Sequence, residues 1–242
     1  MRFTWRPTFK ALPGICQVCH AWPADPVCTD CRQRLAIPRR RCERCAAPLP
    51  GNQTQCGACL VDPDALTRCV AAVDYAYPWD RLIARFKFEG EPAWAHSLAR
   101  LMADAPGAVD LWLGCDGVVP IPLTVTRLAE RGYNQSWELA KALRRLAGDV
   151  PAPWPQALVR LGQAPDQHRL SRGQRLNNLS GAFAARPAMV SRLAGARVLL
   201  IDDVSTTGAT LRAAARALRQ AGASQVSALV LARTPMDAIP AA

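Results

Sequence analysis

The stretch VLLIDDVSTTGATL (Val198–Leu211) combines an apolar run, two adjacent carboxylates and a cluster of hydroxyls around one glycine. RVLLI (Arg197–Ile201) does not alternate, so it reads as a strand of a parallel sheet covered on both faces. A helix is predicted from about Thr207 to Ala221, with Leu211, Ala215 and Leu218 on one face and Arg212, Arg216 and Arg219 on the other. Gly222 ends it, and QVSALVLAR is the next strand. Strand, loop, helix and strand make a βαβ unit, which predicts a doubly wound α/β domain over residues 61–242.

The chemistry lies in the loop. Asp202 and Asp203 stand at the C-terminal tip of the strand, where α/β sheets bind ligands. Paired carboxylates there suit two vicinal hydroxyls or the water shell of Mg²⁺. Ser205, Thr206, Thr207, Gly208 and Thr210 then offer hydroxyls, a close backbone approach and the free N–H groups of a starting helix. A sugar diol and a phosphate recognised within a few residues describe a ribose 5-phosphate pocket. A helix cap alone would account for one Asp and one Thr, not for the order DD–STTG. GxxxxGK[ST] and GxGxxG are both absent, which argues against a P-loop and a dinucleotide site.

Working outward, CVAAVDYAY (Cys69–Tyr77) is a strand candidate ended by Pro78, and Trp79–Phe88 has helical spacing. A helix over Ala95–Ala105 and a short buried strand over Gly117–Pro122 follow. Asn134–Ala147 is amphipathic with Asn134 placed as N-cap, and ALVRL (Ala157–Leu161) is a further strand. Gly162–Ser180 is polar and aperiodic, the signature of a functional loop or a disordered one.

Eight of the ten cysteines form four CxxC pairs: Cys16/Cys19, Cys28/Cys31, Cys42/Cys45 and Cys56/Cys59. Two residues between thiolates let both face one ion, and two such knuckles complete a tetrahedron, the geometry of structural Zn²⁺. Two consecutive four-sulfur ribbons are the simplest pairing, with an interleaved arrangement as the alternative. Redox chemistry or an iron–sulfur cluster is the competing use of the cysteines. Cys69 and Cys115 stand alone among apolar residues and read as buried and inert. The chain carries a net charge of +11, and residues 1–60 alone hold nine Arg/Lys against three Asp/Glu. Such a basic module suits an anionic partner, although an arginine-rich solvated surface gives the same count. No apolar run approaches the roughly 20 residues that cross a bilayer, and the N-terminus lacks a signal-peptide pattern, so a cytoplasmic protein without membrane insertion is expected.

VLLIDDVSTTGATL resembles the PRPP-binding motif of type I phosphoribosyltransferases. The four CxxC pairs, RFKFEG (Arg85–Gly90), VVPIPLTVTRLAERGYNQ (Val118–Gln135) and DQHRLSRGQRLNNLSGAF (Asp166–Phe183) extend the resemblance, over nearly the whole chain, to the ComF family of amidophosphoribosyltransferase-like competence proteins. The resemblance implies a type I phosphoribosyltransferase fold, a parallel sheet flanked by helices, over residues 63–242 behind a double zinc ribbon over residues 1–62. It implies a pyrophosphate-binding loop at Pro122–Arg127, with Thr124, Arg127 and Arg131 as ligands and Tyr133, Asn134 and Gln135 starting the helix behind it. A mobile catalytic loop over Gln163–Gly181 would bring Gln167, Arg172, Arg175 and Asn178 to the diphosphate. Lys87 is either a further site residue or a snorkelling surface lysine.

Two functions follow from this resemblance. One is Mg²⁺-dependent phosphoribosyl transfer from PRPP with release of pyrophosphate, in which Asp202, Asp203, Gln167 and Arg172 act at the reacting centre. The other is a non-catalytic module that senses PRPP or a nucleotide, while its basic ribbons bind single-stranded DNA or a competence helicase-type protein during natural transformation. No residue singles out an acceptor.

Overall fold

The computed structural model describes residues 14–62, 66–148, 153–161 and 182–235. Its centre is a four-stranded parallel sheet in the order β1 (Cys69–Asp74), β6 (Gln225–Arg233), β5 (Arg197–Ser205), β2 (Gly117–Pro120). Side chains of β5 alternate between two cores. Leu199 and Ile201 join α3 (Trp79–Phe88), α4 (Trp94–Asp104), α5 (Ala108–Leu113) and α7 (Gln135–Ala147) on one face. Val198 and Leu200 join α9 (Ala209–Gln220) and the antiparallel pair β3 (Leu158–Arg160) and β4 (Phe183–Ala185) on the other. Burial on both faces explains why β5 reads as an unbroken apolar run.

The sheet and its helices lie where the sequence pattern puts them, with instructive differences at the ends. β1 stops at Asp74, three residues short of Tyr77, because Tyr75 leaves the ladder after donating its N–H to the Arg233 carbonyl. β2 stops at Pro120, and the segment expected to be a loop as far as Arg127 already turns into α6 (Val125–Arg131). Thr124 caps α6 by accepting from the Arg127 N–H at 3.3 Å. α9 begins at Ala209 rather than Thr207, since Gly208 takes a left-handed φ of +78° and breaks the helical run there. α5 is added by the structure. The short helix α8 (Val190–Leu193) closes the connection into β5.

The cysteine ribbons are built alike. Each has a single antiparallel bridge, Gly14 with Ala24 and Arg41 with Pro48, and each ends in a short helix, α1 (Thr29–Leu35) and α2 (Gly57–Val61). Cys16, Val27 and Cys31 of the first ribbon join the helical core. The second ribbon has a small core of its own (Cys42, Cys45, Ala47, Cys59), while its Ala46 is buried in the core on the α9 side. Among the described residues no helix is long and apolar enough to cross a membrane.

Gly117 starts β2 under the indole of Trp154, and a Cβ there would lie 2.4 Å from the ring. The backbone N–H of Trp154 donates to the Val118 carbonyl at 2.6 Å, which pins the main chain that carries the ring beside β2. Gly117→Ala is therefore expected to lower stability by about 1–3 kcal/mol, measured by denaturant unfolding.

Candidate functional site

The C-terminal ends of β5 and β2 and the starts of α7 and α9 converge on the DD–STTG segment. Asp202 and Asp203 are both buried at the tip of β5. Asp202 Oδ1 accepts from the Ser136 hydroxyl at 3.0 Å and from the Asp203 N–H at 2.9 Å. Lys87, near the end of α3, places Nζ 3.1 Å from Asp203 Oδ1. Burial, and next the charge of Asp203, push the Asp202 carboxyl up to about 7, with Lys87 opposing.

Ser205 ends β5 with a buried hydroxyl that has no partner among the described residues. Thr206 and Thr207 are exposed beyond it, and Thr207 Oγ1 accepts from the Ala209 N–H at 3.3 Å. Gly208 needs its left-handed backbone, and an added Cβ would meet Arg212 Nη1 at 3.1 Å. No side chain of the preceding residue caps α9. Its first-turn N–H groups, with Thr210 beside them, form the end of a helix suited to an anion.

The RGYNQS segment (Arg131–Ser136) holds this corner together. Asn134 caps α7 by accepting from the Trp137 N–H at 3.2 Å and ties the β2 exit down by donating to the Ile121 carbonyl at 3.0 Å. The Tyr133 hydroxyl donates to the Phe86 carbonyl, fixing the helix turn that carries Lys87. Arg131 donates to Gln135 Oε1 at 2.9 Å and stacks over Phe88, so its guanidinium is engaged within the chain. Arg127 is exposed on α6. The structure thus gathers Asp202, Asp203, Ser205–Thr210 and Lys87 in one place, with Thr124 and α6 following the β2 exit. Gln167, Arg172, Arg175 and Asn178 lie outside the described residues.

Three participants were missed by the sequence reading. Ser136 carried no signal beyond following the asparagine cap. Arg160 ends β3, stacks over Phe183 and is held below the usual guanidinium range by burial and then by Arg127, while Asp202 draws it the other way. Thr234 follows β6 and donates its N–H to the Ser205 carbonyl at 3.0 Å, leaving its own buried hydroxyl without a partner.

The cysteines form two groups, Cys16/Cys19/Cys28/Cys31 and Cys42/Cys45/Cys56/Cys59, whose sulfur atoms lie within 4.8 Å of one another. This is the consecutive pairing, and each group is able to hold a metal ion. The Cys28 N–H donates to Cys16 Sγ and the Cys56 N–H to Cys42 Sγ, each at 3.4 Å. Burial opposes ionisation of both acceptor thiols, yet these and neighbouring N–H groups bring Cys16 down to about 6 and Cys42 to about 7. Such sulfurs are ready as thiolate ligands. Cys69 and Cys115 are buried, with thiols pushed up by burial.

A parallel sheet whose strand tip carries paired carboxylates beside an open helix N-terminus defines a phosphoribosyltransferase-type domain of the type I fold, and residues 162–241 match the phosphoribosyl transferase domain family. The chain is 32% identical over 231 residues to the DNA utilization protein YhgH of Escherichia coli (strain K12), covering 92% of this chain and 98% of that protein. It is 32% identical over 212 residues to competence protein F of Haemophilus influenzae, covering 86% and 90% respectively. With competence protein ComFC of Bacillus subtilis it shares 29% over 247 residues. The chain belongs to the ComF family. A solved structure, the allosteric regulatory enzyme of purine biosynthesis, overlaps 61% of this chain and 30% of its own at a TM-score of 0.36 and 18% identity.

The raised Asp202 carboxyl binds more protons folded than unfolded. Its penalty on the folded state is absent below the ordinary carboxylate range and grows as pH rises through about 7. Asp202→Asn keeps an oxygen for the Ser136 and Asp203 donors. It is expected to raise the melting temperature of the ligand-free protein by about 2–5 °C at pH 8 and to leave it unchanged near pH 4, read by calorimetry.

Proposed function

We propose that the chain binds PRPP at the tip of β5 and transfers its phosphoribosyl group to an acceptor, releasing pyrophosphate. The observation that carries this reading is the buried Asp202–Asp203 pair, followed within a few residues by a helix whose N-cap, Gly208, has no side chain. The carboxylates accept hydrogen bonds from the ribose hydroxyls. The N–H groups and hydroxyls from Ser205 to Thr210 hold the 5-phosphate, and the unpartnered Ser205 hydroxyl supplies one donor. Thr124 and Arg127, which follow the β2 exit, are assigned to the diphosphate, and Arg131, Gln167 and Arg172 are assigned to it by the family resemblance alone. In transfer, the bond from C1 to the diphosphate oxygen breaks with its electron pair leaving on oxygen. The acceptor atom then bonds to C1 and gives up its proton. The protein's part is positioning and stabilisation of the departing charge. Asp202 and Asp203 would hold the water shell of Mg²⁺, which when bound would neutralise charge on the diphosphate. Lys87 pairs with Asp203 at 3.1 Å and favours the charged form of Asp202, against burial and the Asp203 charge.

The two cysteine tetrads are read as structural Zn²⁺ sites, dividing the chain into a double ribbon (1–62) and a phosphoribosyltransferase-type unit (63–242). The names of the relatives place them in DNA utilisation and competence, and we extend that setting to this chain. A second reading has its own support. The first ribbon carries an exposed Trp22 and the second begins with exposed Arg39 and Arg40, stacking surface and charge of the kinds suited to single-stranded DNA or an acidic face of a helicase-like protein. In that case PRPP would be sensed rather than consumed.

Isothermal titration with PRPP and Mg²⁺ is expected to saturate at one site, and Asp203→Asn to weaken binding by about tenfold to a hundredfold. Absence of binding by the native chain would refute the assignment. Pyrophosphate release on adding a primary amine or a nucleobase separates turnover from sensing. Metal analysis should return two zinc ions per chain, one for each tetrad. Removing them is expected to lower the melting temperature by about 5–10 °C.

A further inference from the structure

Arg233, the last residue of β6, is almost fully buried. Its Nε donates to the Cys45 carbonyl at 3.3 Å, and Nη1 donates to the carbonyls of Ser205 at 3.1 Å and Thr234 at 3.4 Å. One side chain therefore spans from a ligand of the second cysteine tetrad to the residue from which the phosphate loop departs. Among the described residues no carboxylate pairs with it. Asp74, opposite it in register on β1, is engaged by Arg39 at 2.9 Å and Arg41 at 2.7 Å. A buried guanidinium held only by carbonyls is poorly compensated unless negative charge lies close by. Four thiolates around a divalent ion carry net negative charge, and Cys45 holds both one of those thiols and the carbonyl that accepts from Arg233 Nε.

The Cys42–Ala46 knuckle is docked rigidly to the same sheet corner. The Cys69 N–H donates to the Glu43 carbonyl at 2.8 Å, and Arg41 Nη1 donates to the Ala46 carbonyl at 3.3 Å. Ala46 is fully buried with φ of +56°, a conformation that an alanine keeps only when its surroundings fix it. Among the described residues the first ribbon makes no comparable link, and its side-chain ties run to α3 and α4, through Trp79 to Leu35, Arg85 to Gln17 and Arg100 to Asp25.

We propose that Arg233 is a positioning residue that couples the second cysteine tetrad to the phosphate loop, so that metal held by Cys42, Cys45, Cys56 and Cys59 keeps the Ser205–Thr210 loop in its ligand-binding shape. This rests on the ribose-phosphate reading of that loop. It assigns the second ribbon a part in the site itself, distinct from any partner the ribbons meet.

Hydrogen exchange followed by mass spectrometry tests it on the full chain, zinc-loaded and zinc-stripped, with Arg233→Gln, Arg233→Lys and Arg100→Ala. Stripping zinc or substituting Arg233 by Gln should speed exchange of the Thr206–Arg212 amides by about tenfold and weaken PRPP–Mg²⁺ binding to a similar degree, while Val198–Ile201 stay protected. Zinc reloading should restore the wild-type loop but not that of Arg233→Gln. Arg100→Ala should behave as wild type. Loop exchange equal to wild type in both stripped protein and Arg233→Gln would overturn the proposal. Should Arg233→Gln lose β5 protection altogether, Arg233→Lys decides: it keeps the charge without the fork, so faster loop exchange supports the coupling and unchanged exchange refutes it. Failure of zinc-loaded wild type to bind PRPP would refute the ligand reading and leave the exchange comparison standing on its own.

Discussion

Two carboxylates held side by side at the buried end of one strand are unfavourable in isolation, and much of this molecule is arranged around offsetting them. Neighbouring charges of one sign in a desolvated place raise each other's proton affinity. Against that, Lys87 comes from α3, the Ser136 hydroxyl from α7 and the Asp203 N–H from the strand itself. The supports of those groups follow in turn. Tyr133 anchors the end of α3, and Asn134 starts α7 while its side-chain amide ties that start to the Ile121 carbonyl at the exit of β2. A site that costs stability in this way is an expected mark of function rather than of folding.

The same constraint explains the sharing of work between the two ends of the chain. The sheet contributes the carboxylates and the helix N-terminus, but its corner at β1 and β6 is finished by the second ribbon. Cys45, Ala46 and Arg41 supply or organise the polar contacts there, and Arg233 joins them to Ser205. The first ribbon meets the opposite, helical face through Trp79 and Arg85. Two modules of similar construction thus have different neighbours, one near the ligand loop and one on the flank.

Much of the architecture was legible in the sequence because its signals are local. RVLLI and QVSALVLAR are unbroken apolar runs, and they are the two central strands of the parallel sheet. CxxC spacing pairs the two thiols within each knuckle, and of the two arrangements of knuckles the consecutive one is found. The DD–STTG order predicts a strand tip running into a helix start, and the fold has that arrangement. The remainder depended on contacts between residues far apart in sequence. Nothing local marks Ser136 as the partner of Asp202, or Arg233 as a link between Cys45 and Ser205. α6 was read as loop because Thr124 serves as cap to a short helix with no buried residue, which leaves no hydrophobic period to detect. Arg131 looked free for an anion until the fold placed Gln135 and Phe88 beside it.

A crystal structure of the zinc-loaded chain with PRPP and Mg²⁺ tests the central claim most directly. The account predicts the 5-phosphate against the N–H groups and hydroxyls of Ser205–Thr210, and the ribose hydroxyls on Asp202 and Asp203. PRPP bound elsewhere, or a ribose turned away from both carboxylates, would contradict it.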